Sequence, residues 1–379
     1  MSDQFTEVTT QGWGSRLGSS VMAALVGLVL VPASIVLLYW NEGRAVDAIR
    51  ALDRGSAAIL EASPTAVEAQ AEGKLVHVSG MMQPTTAARD TVFGVTGDGL
   101  LRLSRTVEMY QWKEESSSQS QQSVGGSQTT QTTYTYQKVW SAQPIASAKF
   151  KVTDGHQNPP MQQRSAMFDG AEVKLGPYRV DPSVLNKVSA FTPLQPQSAP
   201  PAGFQAAGEG FYQGQNPSQP VIGDVRVSFT AVAAQTVSVA AAQAGGVLTA
   251  FRDPNGYAIA LAEPGVVSAA ALFQDEKKAE AVLTWALRGA GFVVMLIGFV
   301  CVTRPLTMLF AVLPFLESLV GAGAFLVALT LSVPLALLTI AIAWIAHRPL
   351  IGGGLLIGAV AAWFLLRQVH PRRQAQAAA

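Results

Sequence analysis

The hydrophobic positions of this chain are bunched at its two ends. Residues 17–40 carry no charged side chain, and Glu42, Arg44, Asp47 and Arg50 then follow in quick succession. A helix of roughly 20 apolar residues crosses a hydrocarbon layer, so this run is long enough to cross with some tilt. Residues 285–303 form a second run whose one charge, Arg288, lies near an end, where it can snorkel to the interface. Runs 319–346 and 349–366 are uncharged throughout and are separated by His347 and Arg348. Between the first and second runs the period changes from continuous to two. "KLVHVSG" from Lys74, "GLLRLSRTVEMYQW" from Gly99, "TYTYQKVW" from Thr133, "GDVRVSFTAV" from Gly223 and "TVSVAAA" from Thr236 carry the β-branched and aromatic residues that suit a pleated surface. In "VLTAFRDPNGYAIAL" from Val247, Asp253-Pro254-Asn255-Gly256 predicts a hairpin, because proline presets φ and glycine accepts positive φ.

These patterns predict an integral membrane α-helical protein of four transmembrane helices, one N-terminal and three C-terminal, plus a large, strand-rich α+β extramembrane domain. In chain order the expectation is a tail at 1–16, helix 1 at 17–40, the domain at 41–284, helix 2 at 285–303, an interfacial helix at 304–318, helix 3 at 319–346, helix 4 at 349–366 and a tail at 367–379. A cleaved signal peptide is the competing reading of the first run. That run is longer than a typical h-region, and no small-x-small site closes it before Tyr39 and Trp40, so a retained helix with an aromatic interfacial edge is expected. Helical composition continues from Glu42 to about Ala71, with Gly55 and Pro64 expected to divide it. Two tracts, about 115–133 (Ser/Gln/Thr/Gly) and 193–220 (Pro/Gln/Gly), read as flexible. Glu317 reads either as the watered end of the interfacial helix or as an intramembrane carboxylate in an ion path; no partner for it is visible in the other spans.

Composition sharpens this picture. Of 379 residues, 49% are hydrophobic and 13% charged, about half the usual charged share. The net charge of +1 carries no nucleic-acid signature. The single cysteine, Cys301, falls in the second span, so disulfides and aqueous thiol catalysis are excluded. His77, His156, His347 and His370 are scattered, without H-E-x-x-H, C-x-x-C or G-x-S-x-G spacing. "GVTGDG" from Gly94 lacks a P-loop lysine and reads as a turn; "DGHQNPP" from Asp154 reads as a polar loop before a metal or catalytic site. No catalytic, cofactor or metal residue is therefore assigned, and a non-enzymatic protein is expected. Arg16, Arg304, Arg367, Arg372 and Arg373 favour cytoplasmic termini, with residues 41–284 on the other side. Gly354 with Gly358, Ala23 with Gly27 and Ala324 with Ala328 have small-x-x-x-small spacing, compatible with intramolecular bundling or with oligomers.

"YWNEGRAV" directly after the first helix, "VEMYQWKEE" from Val107, "YTYQKVWS" from Tyr134, "FKVTDGHQNPPMQ" from Phe150 and "RPL" from Arg348 together resemble the LUMA family, that of transmembrane protein 43 and its bacterial relatives. The resemblance runs over nearly the whole chain. It implies a scaffold: eukaryotic members look like organisers of the endoplasmic reticulum and inner nuclear membrane that associate with themselves and with emerin and lamins, and they bring no catalytic residues. The tail "RRQAQAAA" and the lack of N-x-S/T sequons suit a bacterial relative, in an inner membrane with a periplasmic domain, for which only self-association and membrane organisation carry over. Implied partners are membrane lipids, further copies of the chain and other membrane proteins, and no nucleic acid. A lipid-binding or lipid-modifying protein is the alternative. The candidate lipid-headgroup or family-motif residues are Trp40, Asn41, Glu42, Gly43 and Arg44. Asn41 is expected to cap the following helix, Glu42 to sit in its first turn, Gly43 to allow close approach and Arg44 to meet headgroups, and a plain membrane exit accounts for all four as well. Gly354 and Gly358 are the candidate helix-packing pair.

Overall fold

The structure, a computed structural model, describes residues 4–348. The expected fourth span, with Gly354 and Gly358, lies outside the described residues. The chain divides into two compact units: one gathers the residues up to Thr9, Ala51–Ser120 and Thr130–Glu276, and the other Thr10–Arg50, Gln121–Thr129 and the chain from Lys277.

The first unit is built on β structure. Strands Leu75–Gln83, Gln235–Ala244, Val247–Thr249, Tyr178–Val180 and Lys174–Leu175 pair in that order, and the last pairs back to the first, so the ring closes as a small barrel. Register explains its filling. Val76, Val78 and Gly80 stand opposite Ala241, Val239 and Val237, so one face of both strands points to the interior. Leu175, Tyr178 and Leu248 complete this core, each such side chain contributing roughly 1.5–3 kcal/mol by leaving water. At Gly80 a Cβ would stand 3.1 Å from Leu175 Cδ2, a tight contact that the bare glycine avoids. On the outer face of the same strands, Leu75 and Ala240 pack with Leu52, Ile259, Leu272 and Phe273. The predicted hairpin is present there: Phe251–Arg252 pairs Ala258–Ile259, and the Asp253 carboxylate accepts from the backbone N–H of Asn255 and Tyr257.

A second, eight-stranded sheet runs in the order Gln4–Gln11, Gln128–Ser141, Leu100–Gln122, Val225–Ala233, Gly210–Gln213, Gln205–Ala207, with Thr192–Pro193 and Ala166–Asp169 pairing alongside. Its core joins Phe93, Leu103, Val107, Phe211, Val227 and Phe229. Tyr212 donates from its buried hydroxyl to Asp224 Oδ2 at 2.6 Å, and burial, reinforced by that carboxylate, raises the phenol pKa. Both tracts read as flexible contain strands. Residues 115–122 and 128–133 extend the two arms of one long hairpin around a turn, and part of 193–220 forms the strands Gln205–Ala207 and Gly210–Gln213. Ser118 and Ser120 meet Thr132 and Thr130 at 2.9 Å across the hairpin, so hydroxyl pairs supply the cross-strand contacts that apolar side chains supply elsewhere.

Among the described residues the α-helices are α1 (Trp13–Ala58), the short α2 (Pro182–Leu185), α3 (Ala269–Leu309) and α4 (Pro314–His347). Three of them, α1, α3 and α4, are long and apolar enough to cross a membrane. α1 does not stop at Gly55, since one glycine costs a helix only about 1 kcal/mol and its missing Cβ makes room for Ile259 and Phe273. The separate helix expected over 304–318 does not form. α3 carries Pro305 within it, α4 opens with Pro314 at its first position, where proline's fixed φ suits a helix start, and only residues 310–313 lie between. Within the second unit, α1 and α3 approach closely at Gly27, whose Cβ would lie 2.5 Å from Gly298 O; Leu38, Met295 and Ala336 pack between helices further along. Gly27 thus serves packing inside the chain.

Gly176 makes the turn between two barrel strands at φ +56°, and a Cβ there would overlap the Pro64 carbonyl oxygen. Gly176→Ala is therefore expected to lower stability by about 1–3 kcal/mol, read as a fall in the thermal midpoint of the purified protein; an unchanged midpoint contradicts this account of the turn.

Candidate functional site

The residues of the "WNEGR" stretch lie in the middle of α1, well inside Trp13–Ala58, so Asn41 is not an N-cap and Glu42 is not in a first turn. Their role is to join three helices of the second unit. Asn41 is fully buried and donates from Nδ2 to the Thr284 carbonyl of α3 at 3.1 Å. Glu42, 1% exposed, accepts from Arg288 Nε at 2.6 Å and Nη2 at 2.8 Å, and from Trp344 Nε1 of α4 at 2.7 Å. Gly43 gives its side-chain space to His347, whose Cε1 and Nε2 would stand 2.9 Å from a Cβ. Arg44 donates to Glu280 Oε2 at 2.6 Å and to Thr284 Oγ1 at 3.2 Å. Trp40, more than half exposed, is the one member of the stretch turned outward.

The arrangement follows from electrostatics. A lone carboxylate in an apolar helix bundle costs several kcal/mol, and a forked guanidinium with a further N–H donor satisfies it on both oxygens. Arg288, expected to snorkel, instead faces inward to Glu42 and lies 4.7 Å over the Trp285 ring. Arg50 adds a backbone contact to the His347 carbonyl, and Tyr39 packs on the His347 ring at 5.3 Å. Beside the ion pair is a cavity of about 170 Å³ lined by Ala45, Val46, Ile49, Glu280, Trp285 and Arg348, among others.

A second charged contact sits at the other end of the same helices. Arg16, 4% exposed, donates to Glu317 Oε1 at 2.7 Å and to the Gly126 carbonyl at 2.8 Å. Glu317 is therefore buried and partnered, in the first turn of α4, where the helix dipole also favours a carboxylate. Sequence reading missed Arg16 as its partner because the two are about 300 positions apart; a charge at each edge of an apolar run was the available signal.

The family-like stretches around Trp112, Tyr136 and His156 meet in the first unit. His156 of "DGHQNPP" stacks on Tyr136 at 3.9 Å and stands edge-on to Trp112 at 4.8 Å. Tyr136 donates to Glu114 at 2.7 Å and accepts from Val152 N, while Asn158 holds the Trp112 backbone through both its amide atoms. This is a clamp fixing a loop to the hairpin. Among the described residues no group of three His, Cys, Asp or Glu side chains is placed to hold a metal ion.

Two pairs of substitutions test the joint. Glu42→Leu leaves Arg288, partly buried between helices, without its carboxylate and is expected to cost about 2–4 kcal/mol, whereas Glu42→Leu with Arg288→Met removes both charges and recovers much of it. Thermal midpoints of the four-member mutant cycle decide this, and additive losses would refute the pairing. Likewise, Gly43→Val is expected to destabilise by driving a side chain into His347, with partial rescue by His347→Ala in the same measurement.

A model of the Transmembrane protein 43 family matches residues 109–349. The chain is 32% identical to Transmembrane protein 43 of Homo sapiens over 355 residues, covering 89% of this chain and 88% of that protein, with the same figures for the Rattus norvegicus protein. It is 31% identical to the Transmembrane protein 43 homolog of Drosophila melanogaster over 366 residues, covering 92% and 96%. No solved structure matches the chain. The spans, the strand-rich unit and the matched length agree: this chain is an integral membrane protein that belongs to the Transmembrane protein 43 family.

Proposed function

We propose that the protein is a non-enzymatic membrane organiser that self-associates and holds other membrane proteins and lipids in place. The observation that carries this reading is how the polar groups of the family-like stretch are used: Glu42, Arg288 and Trp344 satisfy one another, and Arg44 is engaged with Glu280 and Thr284. Such groups stiffen a helix joint. Around them the helices carry wide apolar surfaces, among them Val21, Met22, Leu25, Leu28 and Val29 of α1 and Phe325, Leu326 and Leu337 of α4, which suit lipid and neighbouring helices alike. On this reading the partners are membrane lipids, further copies of the chain and other membrane proteins, with no nucleic acid. The setting is a bacterial inner membrane with a periplasmic domain, or the endoplasmic reticulum and inner nuclear membrane in a eukaryote.

The alternative, lipid binding or modification, is favoured by one feature: the cavity beside Glu42 places Arg348 and Trp285 at its wall, a cation and an aromatic edge of the kind that receives a headgroup. A mass measurement of the complex in native-lipid particles, with bound lipids identified, separates the two. A discrete homo-oligomer or a reproducible protein partner supports the organiser; a monomer with one lipid species in stoichiometric amount replaces it with the lipid-binding reading.

A further inference from the structure

His77 sits in the barrel wall of the first unit, on the strand Leu75–Gln83. Val76 and Val78 fill the interior, so His77 points to the outer face with Leu75 and Ser79, opposite Ala240 of the neighbouring strand. It is 5% exposed. Its two ring nitrogens meet two different segments of the same unit. Nδ1 lies 2.6 Å from Glu61 Oε2, on the short strand Leu60–Glu61 that follows α1. Nε2 lies 2.9 Å from the carbonyl oxygen of Val267, two residues before α3 begins.

Both of these partners are acceptors. A neutral imidazole has one N–H and one bare lone pair, so in either tautomer one nitrogen turns its lone pair on an oxygen at hydrogen-bond distance. The imidazolium donates at both, and the carboxylate beside it balances the charge. A neutral ring accepting from a protonated Glu61 is disfavoured, because that side chain is 75% exposed and water solvates its charged form. Around the ring the elements are otherwise apolar: α1 and α3 bring Leu52, Leu272 and Phe273 to this face of the barrel. The charged residues of those elements and of the strand Leu261–Pro264 stay outside: Asp53, Arg54, Glu263 and Asp275 are exposed, Glu276 is half-buried, and Glu61 is the charged side chain in contact with the ring among the described residues.

The two ties differ in strength. Val267 is held a second time, since its N–H donates to Ser238 Oγ at 2.8 Å; that hydroxyl donates to Gly265 O at 2.8 Å, which leaves Ser79 to donate to it at 2.7 Å. Glu61 belongs to a strand of two exposed residues, paired only with Val76 and His77 and followed by one bond from Ala62 N to His77 O. We propose that His77 is a proton-operated latch between the segment that leaves α1 and the segment that enters α3. With the proton on, one ring ties both to the barrel. With the proton off, the remaining N–H stays with the firmly placed Val267 carbonyl, the bare Nδ1 repels Glu61, and the strand Leu60–Glu61 is released while the barrel stays closed. The sign follows from the two acceptors: the fold favours the charged ring, so the latch holds at acid pH and is lost as pH rises through the titration of the ring. It gives the fold a pH-dependent element at the exit of α1, whether the protein organises other proteins or binds lipid.

Hydrogen exchange of the full-length protein in nanodiscs, read on peptides that cover residues 60–62, tests the latch between about pH 5 and about pH 8, where histidine side chains change charge. After correction for the intrinsic rise of amide exchange with pH, these amides are expected to lose about three- to tenfold of their protection at the upper pH, while Leu75–Gln83 keeps its own. His77→Gln, which cannot gain a proton, is expected to show the weak protection at both pH values. Glu61→Gln, at an exposed position, is expected to show the strong protection at both, because its amide accepts from the charged ring and donates to the neutral one. Corrected protection of the unmodified protein that is equal at both pH values or greater at the upper one overturns the latch, as does a pH step that survives in either variant. Glu61→Gln alone decides this where His77→Gln does not fold.

Discussion

A carboxylate placed among apolar helices must bring its cation with it, and Glu42 brings Arg288. The bidentate contact fixes the rotation of α1 against α3, because a guanidinium fork meets both carboxylate oxygens in one relative orientation only. Trp344 adds α4 to the same oxygen, and Asn41, Gly43 and Arg44, the neighbours of Glu42 on one turn and a little more, each take a further contact. The local order of residues in "NEGR" is thereby explained: every position is taken up by a contact with another helix, and one of these requires the absence of a side chain. Replacing the pair by apolar residues would keep the helices in contact and lose this angular definition.

Arg16 and Glu317 repeat the device at the other end of the helices, and the two ion pairs act on different ground. The first lies where three helices pack side by side, with Leu38 and Met295 nearby in the apolar layer. The second holds something foreign to a helix bundle, the turn of a β-hairpin, through a backbone carbonyl. Gly125 and Gly126 are suited to that because their backbone groups are unshielded and their positive φ values are free of strain. A helix unit locked at both ends and closely approached at Gly27 and Gly298 has little freedom to rock about its middle.

The membrane helices were legible because an uncharged run of sufficient length has few other fates in water, and the Asp253–Gly256 hairpin was legible because its signal is local. The barrel was not. Its closing pairs join residues near 80 to residues near 240 and 175, and period-two alternation states that a strand has two faces without stating which strand it meets. The motif failed in an instructive way. An aromatic edge followed by Asn, Glu and Gly looks locally like a membrane exit and a helix start, yet the helix continues to Ala58, and each polar residue answers to one that is about 240 or 300 positions away. Arg288 looks like a snorkelling end for the same reason: its partner, Glu42, lies outside its own run.

The Ser/Gln/Thr tract carries the wider lesson about composition. Low hydrophobicity and missing charge suggest flexibility, but threonine favours the pleated conformation, and hydroxyl pairs such as Ser118–Thr132 and Ser120–Thr130 can zip a hairpin without any apolar contact. What such a tract lacks is a core to bury, so its order has to come from its ends. One end is anchored by the clamp of Trp112, Tyr136 and His156, the other by Trp13 and Arg16 at the turn. Composition then reports the medium a strand is built to meet, and the anchors decide that it is a strand at all.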